Sequence, residues 1–360
     1  MIHGLPALLQ SPHLPQPVVV ASTGAVEHHP AGPPAATLRA SIAASNLPHA
    51  WLGLCGDKAA LCARQTPGLL LYAPRAERWI ALAGPAGSRQ GRTLVMDAFL
   101  WRARAAGVTP VLYQADRETT AQLTARGFRA WKLGEEARVA LTGFSLDGGA
   151  RKSIRANVRK LEQAGLRFEI RAAADALLLL DAAEISRQWL SAKRSREKQF
   201  SLGRFSVDYL RHTPLALVWH GAELVAFANL LTTTDHSVLS VDLMRYGRNA
   251  PANVMDFLFA RLLQWAAQQG YAEFSLGMTP LANIEDDPRT PHWPRLARLL
   301  WRFGERHYNF QGVRRFKEKW QPTWHSRYLL CPRRRDCIPA LLDCAVLIAG
   351  GKRALLGLRR

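Results

Sequence analysis

Acidic residues are scarce in this 360-residue chain: 28 Asp and Glu stand against 48 Lys and Arg, a formal net charge of +20. A surplus of that size excludes an acidic surface and points to polyanionic partners, nucleic acid or anionic lipid. Long apolar runs are also missing, and none reaches the roughly 20 residues that a membrane-spanning helix needs. The nearest, Ile338 to Gly350, is shorter, carries Asp343 and is followed by Lys352, Arg353, Arg359 and Arg360. That pattern suits an interfacial helix or one docked on the protein's own core. The five cysteines (Cys55, Cys62, Cys331, Cys337, Cys344) include no pair separated by two residues, which argues against zinc and redox pairs and for a reduced, cytoplasmic protein. Absence of a Gly-x-Ser-x-Gly elbow, a Walker loop and an HExxH motif argues against a common serine hydrolase, a P-loop NTPase and a zincin. The first 35 residues hold seven prolines but no basic stretch with an apolar run behind it. No signal peptide is expected, and residues 1–37 read as a flexible tail in which His28-His29 is inert.

What is present can build a core, since 48% of the residues are hydrophobic. From Trp51 to Leu141, short apolar runs (Leu69 to Tyr72, Trp79 to Leu82, Val111 to Tyr113) alternate with helix-like segments (Thr93 to Ala106, Thr119 to Arg126) that end on Gly107 and Gly127. A second unit opens after Gly148-Gly149 with a basic helix and then a longer one, Asp175 to Leu190. Three strand-like runs follow, Leu215 to Trp219, Leu224 to Leu231 and Ser237 to Met244, joined by segments with turn chemistry; they read as an antiparallel meander. A helix from Asn253 to Gln269 and a strand from Tyr271 to Leu276 complete the pattern.

Strands, helix, strand is the order of an N-acetyltransferase-like acyltransferase. The expected class is therefore α/β (α+β) with two tandem lobes of that type, at 38–150 and 151–330, and a basic and apolar C-terminal segment at 331–360. In that fold a Gly-rich turn at a helix start holds the coenzyme A pyrophosphate on backbone N–H groups. The equivalent stretch here, Arg245 to Ala252, has one glycine and a proline, so coenzyme A is not expected as donor.

Three polar clusters interrupt apolar surroundings. Asp242 lies among Val241, Leu243 and Met244, with Arg245 a candidate partner. The pair reads either as a carboxylate that accepts a proton or amino group beside a phosphate-neutralising arginine, or as a structural ion pair. Tyr308 through Trp320 interleaves Arg314, Arg315, Lys317 and Lys319 with Phe310, Phe316 and Trp320, which reads either as a combination able to hold phosphates and stack on bases or as an amphipathic helix with a solvated charged face. Within it Glu318 is expected ionised, because lysines flank it. Arg151, Lys152, Arg155, Arg159 and Lys160 put five cations into ten residues without an acid. Positions 151, 155 and 159 share a helical face, which reads either as an electrostatic landing strip for a phosphate backbone or an anionic bilayer, or as a merely solvated face. The loops Glu197 to Gly203 and Phe274 to Leu281 could line a pocket at strand ends.

These clusters resemble the C-terminal catalytic part of the bacterial phosphatidylglycerol lysyltransferases, the multiple peptide resistance factors, and their alanyl-transferring relatives. The resemblance runs from about Trp51 to Leu330. It is carried by Lys132 to Val139, Glu197-Lys198, Phe200 to Gly203, Val225 to Asn229, Ser240 to Tyr246, Met255 to Leu258, Leu276 to Met278 and Tyr308 to Lys319. It implies transfer of an aminoacyl group from aminoacyl-tRNA to phosphatidylglycerol, without coenzyme A or a metal, by a protein peripheral to the inner face of the cytoplasmic membrane. It also implies Asp242 and Glu318 as candidates for amino-group recognition or proton transfer, and Arg245, Lys317 and Lys319 for phosphate and oxyanion charge. Tyr308, Asn309, Arg315, Ser201, Gly277 and Met278 are implied as substrate-binding positions. Family members usually carry a membrane-spanning N-terminal part that flips the product lipid; its absence here implies synthesis without flipping. Thr279 stands where the family pattern has alanine. The rival expectations are a tRNA-dependent transferase with another lipid or a peptide acceptor, and a non-catalytic RNA-binding or membrane-docking module.

Overall fold

A computed structural model of the chain describes residues 25–32, 35–149, 151–172, 174–281, 284 and 310–355. The first lobe runs β1 (Val26–His29), α1 (Ala36–Ala43), a 3-10 helix (Pro48–Cys55), β2 (Ala59–Ala63), β3 (Gly68–Arg75), β4 (Arg78–Leu82), β5 (Ala86–Gly87), α2 (Arg89–Ala105), β6 (Thr109–Ala115), α3 (Arg117–Ala125) and β7 (Arg129–Ala140). The second runs α4 (Lys152–Gln163), β8 (Leu166–Arg171), α5 (Ala176–Ala192), α6 (Val207–Leu210), β9 (Leu215–His220), β10 (Glu223–Leu231), β11 (Val238–Tyr246), α7 (Val254–Gln268), β12 (Glu273–Pro280), α8 (Phe310–Glu318) and β13 (Thr323–Cys331). A 3-10 turn (Arg334–Asp336), α9 (Cys337–Ala349) and α10 (Lys352–Leu355) follow. Two helices start where an aspartate caps them: Asp116 and Asp175 each accept a backbone N–H at 2.8 Å at the heads of α3 and α5.

All strands join one mixed sheet, in the order β1-β2-β3-β4-β6-β13-β7-β12-β11-β10-β9-β8, with β5 beside β3. The order is nearly palindromic about β13–β7. Each side has an antiparallel neighbour (β6 or β12), a parallel pair (β4–β6 or β11–β12) and then a meander. A right-handed crossover needs a helix between parallel strands, and α2 and α7 supply them. The last strand of each lobe lies at the centre: β7 leaves the first lobe to pair with β12, and β13 leaves the second to pair with β6. Close approach there requires glycine, because a Cβ on Gly134 (φ +150°) would stand 2.2 Å from the Thr279 carbonyl oxygen.

One apolar cluster, including Leu71, Leu217, Phe227 and Leu329, spans both lobes on one face of the sheet. On the other face each lobe has its own: Val95, Phe99 and Leu123 under α2 and α3, and Val158, Phe257 and Leu262 under α4 and α7. The segment expected to be tail contributes β1 at the sheet edge, where His28 hydrogen-bonds the Tyr72 hydroxyl at 2.9 Å. Segment 338–350 is a helix whose inner side is buried on the core.

Candidate functional site

The second lobe holds a split in the sheet. Strands β11 and β12 pair only from Val238–Ser240 to Glu273–Ser275, after which β11 follows β10 and β12 follows β7. The β12–β7 register shifts between Ser275 and Met278, with Gly277 at φ +78°. This bulge turns the Gly277 and Met278 carbonyls out of the ladder.

Lys317 of α8 fills them, its Nζ donating at 2.8 Å to Gly277 and 3.0 Å to Met278. Burial lowers the Lys317 ammonium to a pKa of about 7, with Glu136 opposing that shift. Glu136, on β7 opposite Met278, accepts from Ser275 Oγ at 2.5 Å, from Arg138 at 3.0 Å and from Arg327. Burial would raise its carboxyl, but Arg327 and Arg138 outweigh it and hold the pKa at about 2.

On the other side of the split, Asp242 of β11 accepts the Gly203 N–H at 2.8 Å and the Tyr209 hydroxyl at 2.9 Å. Burial raises its carboxyl above the usual range; the Gly203 and Tyr209 hydrogen bonds and the charges of Lys58 and Arg245 pull it back. The loop needs glycine at 203, because a Cβ would stand 1.8 Å from Asp242 Oδ2. That loop is held at several points. Asp57, which also takes the fully buried Lys58 ammonium at 2.5 Å, accepts from the Phe200 N–H at 2.7 Å with Phe200 in the left-handed region. Arg204 donates to the Cys55 carbonyl at 3.0 Å.

Several expected roles are corrected. Arg245 does not pair with Asp242: it grips Glu197 through two 2.7 Å bonds, donates to Ser186 and stacks over Trp189 at 5.3 Å, so its charge is already balanced. Glu318 and Lys319 do not join Lys317 at the split. Successive helical residues diverge by about 100°, and these two are exposed, Glu318 paired with Arg314 and Lys319 with Asp256, each at 2.9 Å. Arg315 is exposed, and Tyr308 and Asn309 lie outside the described residues. Phe316 and Trp320 are not stacking platforms but pack on Phe259, at 5.1 and 6.2 Å between ring centres. On the basic face, Arg151 donates to the Ser145 carbonyl and stacks on Phe144, while Arg155 donates to the Leu146 and Gly148 carbonyls. They tie down the preceding loop; Lys152, Arg159 and Lys160 stay exposed. Gly277 and Met278 do reach the site, as the carbonyls that hold Lys317, and Ser201 sits half-buried in the turn before Gly203. Two surface clefts, of about 340 and 190 Å³, contain neither Asp242 nor Lys317.

Tyr209 has no expected role from sequence, and Glu136 and Glu197 enter the sequence reading only within the stretches Lys132 to Val139 and Glu197 to Gly203, without a role of their own. Lys317 had a usable signal: it is four residues after Val313 and three before Trp320, on the apolar stripe of its helix.

Fold and split together define a two-lobed protein of the N-acetyltransferase-like acyltransferase fold. The chain belongs to the family described as phosphatidylglycerol lysyltransferase, C-terminal, whose profile matches residues 39–331. A phosphatidylglycerol lysyltransferase of Bacillus subtilis (strain 168) is 36% identical over 306 residues, 84% of this chain and 35% of that protein. The structure of L-PGS from Bacillus licheniformis matches with a TM-score of 0.78 at 33% identity, over 90% of this chain and 99% of that one. A C-terminal (DUF2156) domain from Agrobacterium fabrum matches with a TM-score of 0.76 at 34% identity, over 87% and 96%. The chain spans about a third of the length of the curated relatives it matches.

Proposed function

We propose that this chain transfers a lysyl or alanyl group from aminoacyl-tRNA to a glycerol hydroxyl of phosphatidylglycerol, at the inner face of the cytoplasmic membrane and without coenzyme A. The observation that carries the reading is the split between β11 and β12, flanked by Asp242 and Lys317, in a chain of this family. In the reaction the lipid hydroxyl oxygen attacks the aminoacyl carbonyl carbon. A new ester bond forms, the ester bond to the terminal ribose breaks, and the hydroxyl proton ends on the ribose oxygen. Asp242, made more basic by burial, is suited to take up that proton, and the Tyr209 hydroxyl keeps it oriented. Lys317, with a pKa near neutrality, is suited to exchange a proton or to stabilise the oxyanion. Arg245 and Glu197 act as positioning residues between β11 and the loop after α5.

Donor choice is supported by the turn between β11 and α7, where an acyltransferase would cradle pyrophosphate. The Gly247 N–H is spent on the Val225 carbonyl and the Arg248 N–H on Gln188, both at 2.9 Å, and Pro251 has none. The excess positive charge suits tRNA and an anionic lipid alike.

The test is incorporation of radiolabelled lysine or alanine, charged on tRNA, into phosphatidylglycerol vesicles by the purified chain. RNase-sensitive label in the lipid fraction is the expected result and identifies the amino acid. Label absent with both, while tRNA and vesicles still bind, overturns the reading.

A further inference from the structure

Helix α9 has two unlike faces. Cys337, Ala340 and Cys344 are buried against the first lobe, and Asp343 clips the helix to the β3–β4 hairpin through Arg78 at 2.8 Å and Arg75 at 3.6 Å. Ile338 and Leu342, one turn apart on the outer side, are 49% and 57% exposed. Cations bracket this apolar stripe: exposed Arg333, Arg334 and Arg335 precede it, and exposed Lys352 and Arg353 follow it. Between 333 and 353 there are five basic residues against two acidic ones, Asp336 and Asp343, and Asp343 is already committed to Arg75 and Arg78.

Another apolar pair, Leu177 and Leu180 on α5, is more exposed, at 75% and 65%. Around it Asp175, Asp181 and Glu184 stand against Arg171 and Arg187, which pair with Asp175 and Glu184, so it has no surplus of cations to meet an anionic surface. Charge therefore separates two patches that exposure alone would rank the other way.

The α9 end is also wired to the candidate site. Its Ile348 carbonyl accepts the Gln199 N–H at 3.0 Å, and Gly350 lies against the Gln199 amide. Gln199 opens the loop whose Gly203 N–H holds Asp242.

We propose that the outer face of α9 is where the protein docks on an anionic bilayer, Ile338 and Leu342 entering among the headgroups while the flanking cations meet lipid phosphates. Because α9 and the Gln199–Gly203 loop are directly bonded, docking sets the height of Asp242 over the headgroup layer. The inference rests on the lipid-acceptor reading above and specifies which surface meets the lipid.

The experiment uses the full chain with vesicles of phosphatidylglycerol and phosphatidylcholine, against phosphatidylcholine alone, with sedimentation as the readout. In parallel, transfer rates are measured on those vesicles and on short-chain phosphatidylglycerol below its micelle concentration. Ile338→Asp/Leu342→Asp is expected to weaken binding to the anionic vesicles at least tenfold. It is also expected to lower the ratio of vesicle to short-chain transfer rates by a similar factor. Arg334→Gln/Arg335→Gln/Lys352→Gln/Arg353→Gln, which leaves the apolar stripe intact, should weaken binding at least as much at low salt. Leu177→Ser/Leu180→Ser should bind as the wild type does. Wild-type-like sedimentation of folded Ile338→Asp/Leu342→Asp and of the four-residue variant overturns the proposal, as does self-association of the wild type in place of vesicle binding. A wild type that binds vesicles through α9 yet transfers nothing to either lipid form sinks the transferase reading and leaves the docking surface standing.

Discussion

The two lobes share a topology and differ in whether the parallel pair stays closed. In the first, β4 and β6 remain paired over five positions, from Arg78–Thr109 to Leu82–Tyr113, and the Ala83 N–H extends the contact to the Tyr113 carbonyl. In the second, β11 and β12 part after three positions, and both strands continue past the fork. The helix-start turns differ as well. In the first lobe the Gly-rich turn before α2 is filled by the protein itself: Asn46 takes the Gly87 N–H, the Pro67 carbonyl takes that of Ser88, and Gly91 packs on Pro67-Gly68. Duplication of a fold therefore did not duplicate a site. The first lobe serves as a clamp, reaching the second through Asp57, Cys55 and β13.

The comparison is broken most directly at the open fork. Asp242→Asn is expected to lower kcat for aminoacyl transfer by about 10²–10⁴-fold, with tRNA binding retained, whereas Tyr113→Phe at the closed fork leaves kcat within about twofold. Steady-state kinetics beside a tRNA-binding curve check both; retained turnover in Asp242→Asn removes it from the chemistry.

Glu136 joins the lobes across β7, β12 and β13. Its folded pKa of about 2 lies below the ordinary 4.5. The stability it contributes, roughly 3 kcal/mol, is therefore present above pH 4.5 and lost as pH falls toward 2. Glu136→Gln should be destabilised by about 3–5 kcal/mol at pH 7, because two arginines are left unbalanced. Denaturant unfolding from pH 7 down to 3 reads both effects.

Lys317 moves stability in the same direction with pH, in a higher window and for a different reason: burial penalises its charged form. Its folded pKa of about 7 lies below the ordinary 10.5, so the unfolded chain binds more protons between those values and folding stability rises with pH across that window. Between pH 7 and 9 the wild type should gain about 2 kcal/mol from this group, and Lys317→Met should lose that gain. Transfer should collapse in the same variant, and an unchanged pH–rate profile would show that Lys317 does not titrate in turnover.

Two glycines sharpen the contrast at smaller scale. Gly91→Ala puts a Cβ 1.8 Å from the Pro67 carbonyl oxygen, which should cost about 1–3 kcal/mol of stability while leaving KM and kcat near wild type. Gly277→Ala meets no atom within 4 Å but is held at φ +78°, so only about 1–2 kcal/mol of backbone strain is expected. Least affected will be Arg159→Gln/Lys160→Gln on the exposed face of α4, where a shallower salt dependence of tRNA binding is expected without loss of turnover.

The sequence by itself determined the elements whose signals are local. Alternation and turn residues located β9, β10 and β11, apolar spacing located α7, and an acid set among Val241, Leu243 and Met244 marked Asp242. Basic excess pointed to polyanions as the class of partner. Tertiary structure alone decided the rest, because the deciding contacts join distant residues. Asp242 meets Gly203 and Tyr209, 39 and 33 positions away, and Arg245 meets Glu197, 48 away. Of three consecutive charged residues, Lys317, Glu318 and Lys319, the sequence sets Lys317 apart only by its spacing from Val313 and Trp320, and the docking of α8 beside β12 is what buries its ammonium. Pairing of β7 with β12 and of β13 with β6 leaves no periodicity to read, since hydrogen bonds between backbones carry no side-chain signature. The open fork is a property of strands that diverge after a shared start, and no stretch of sequence contains it.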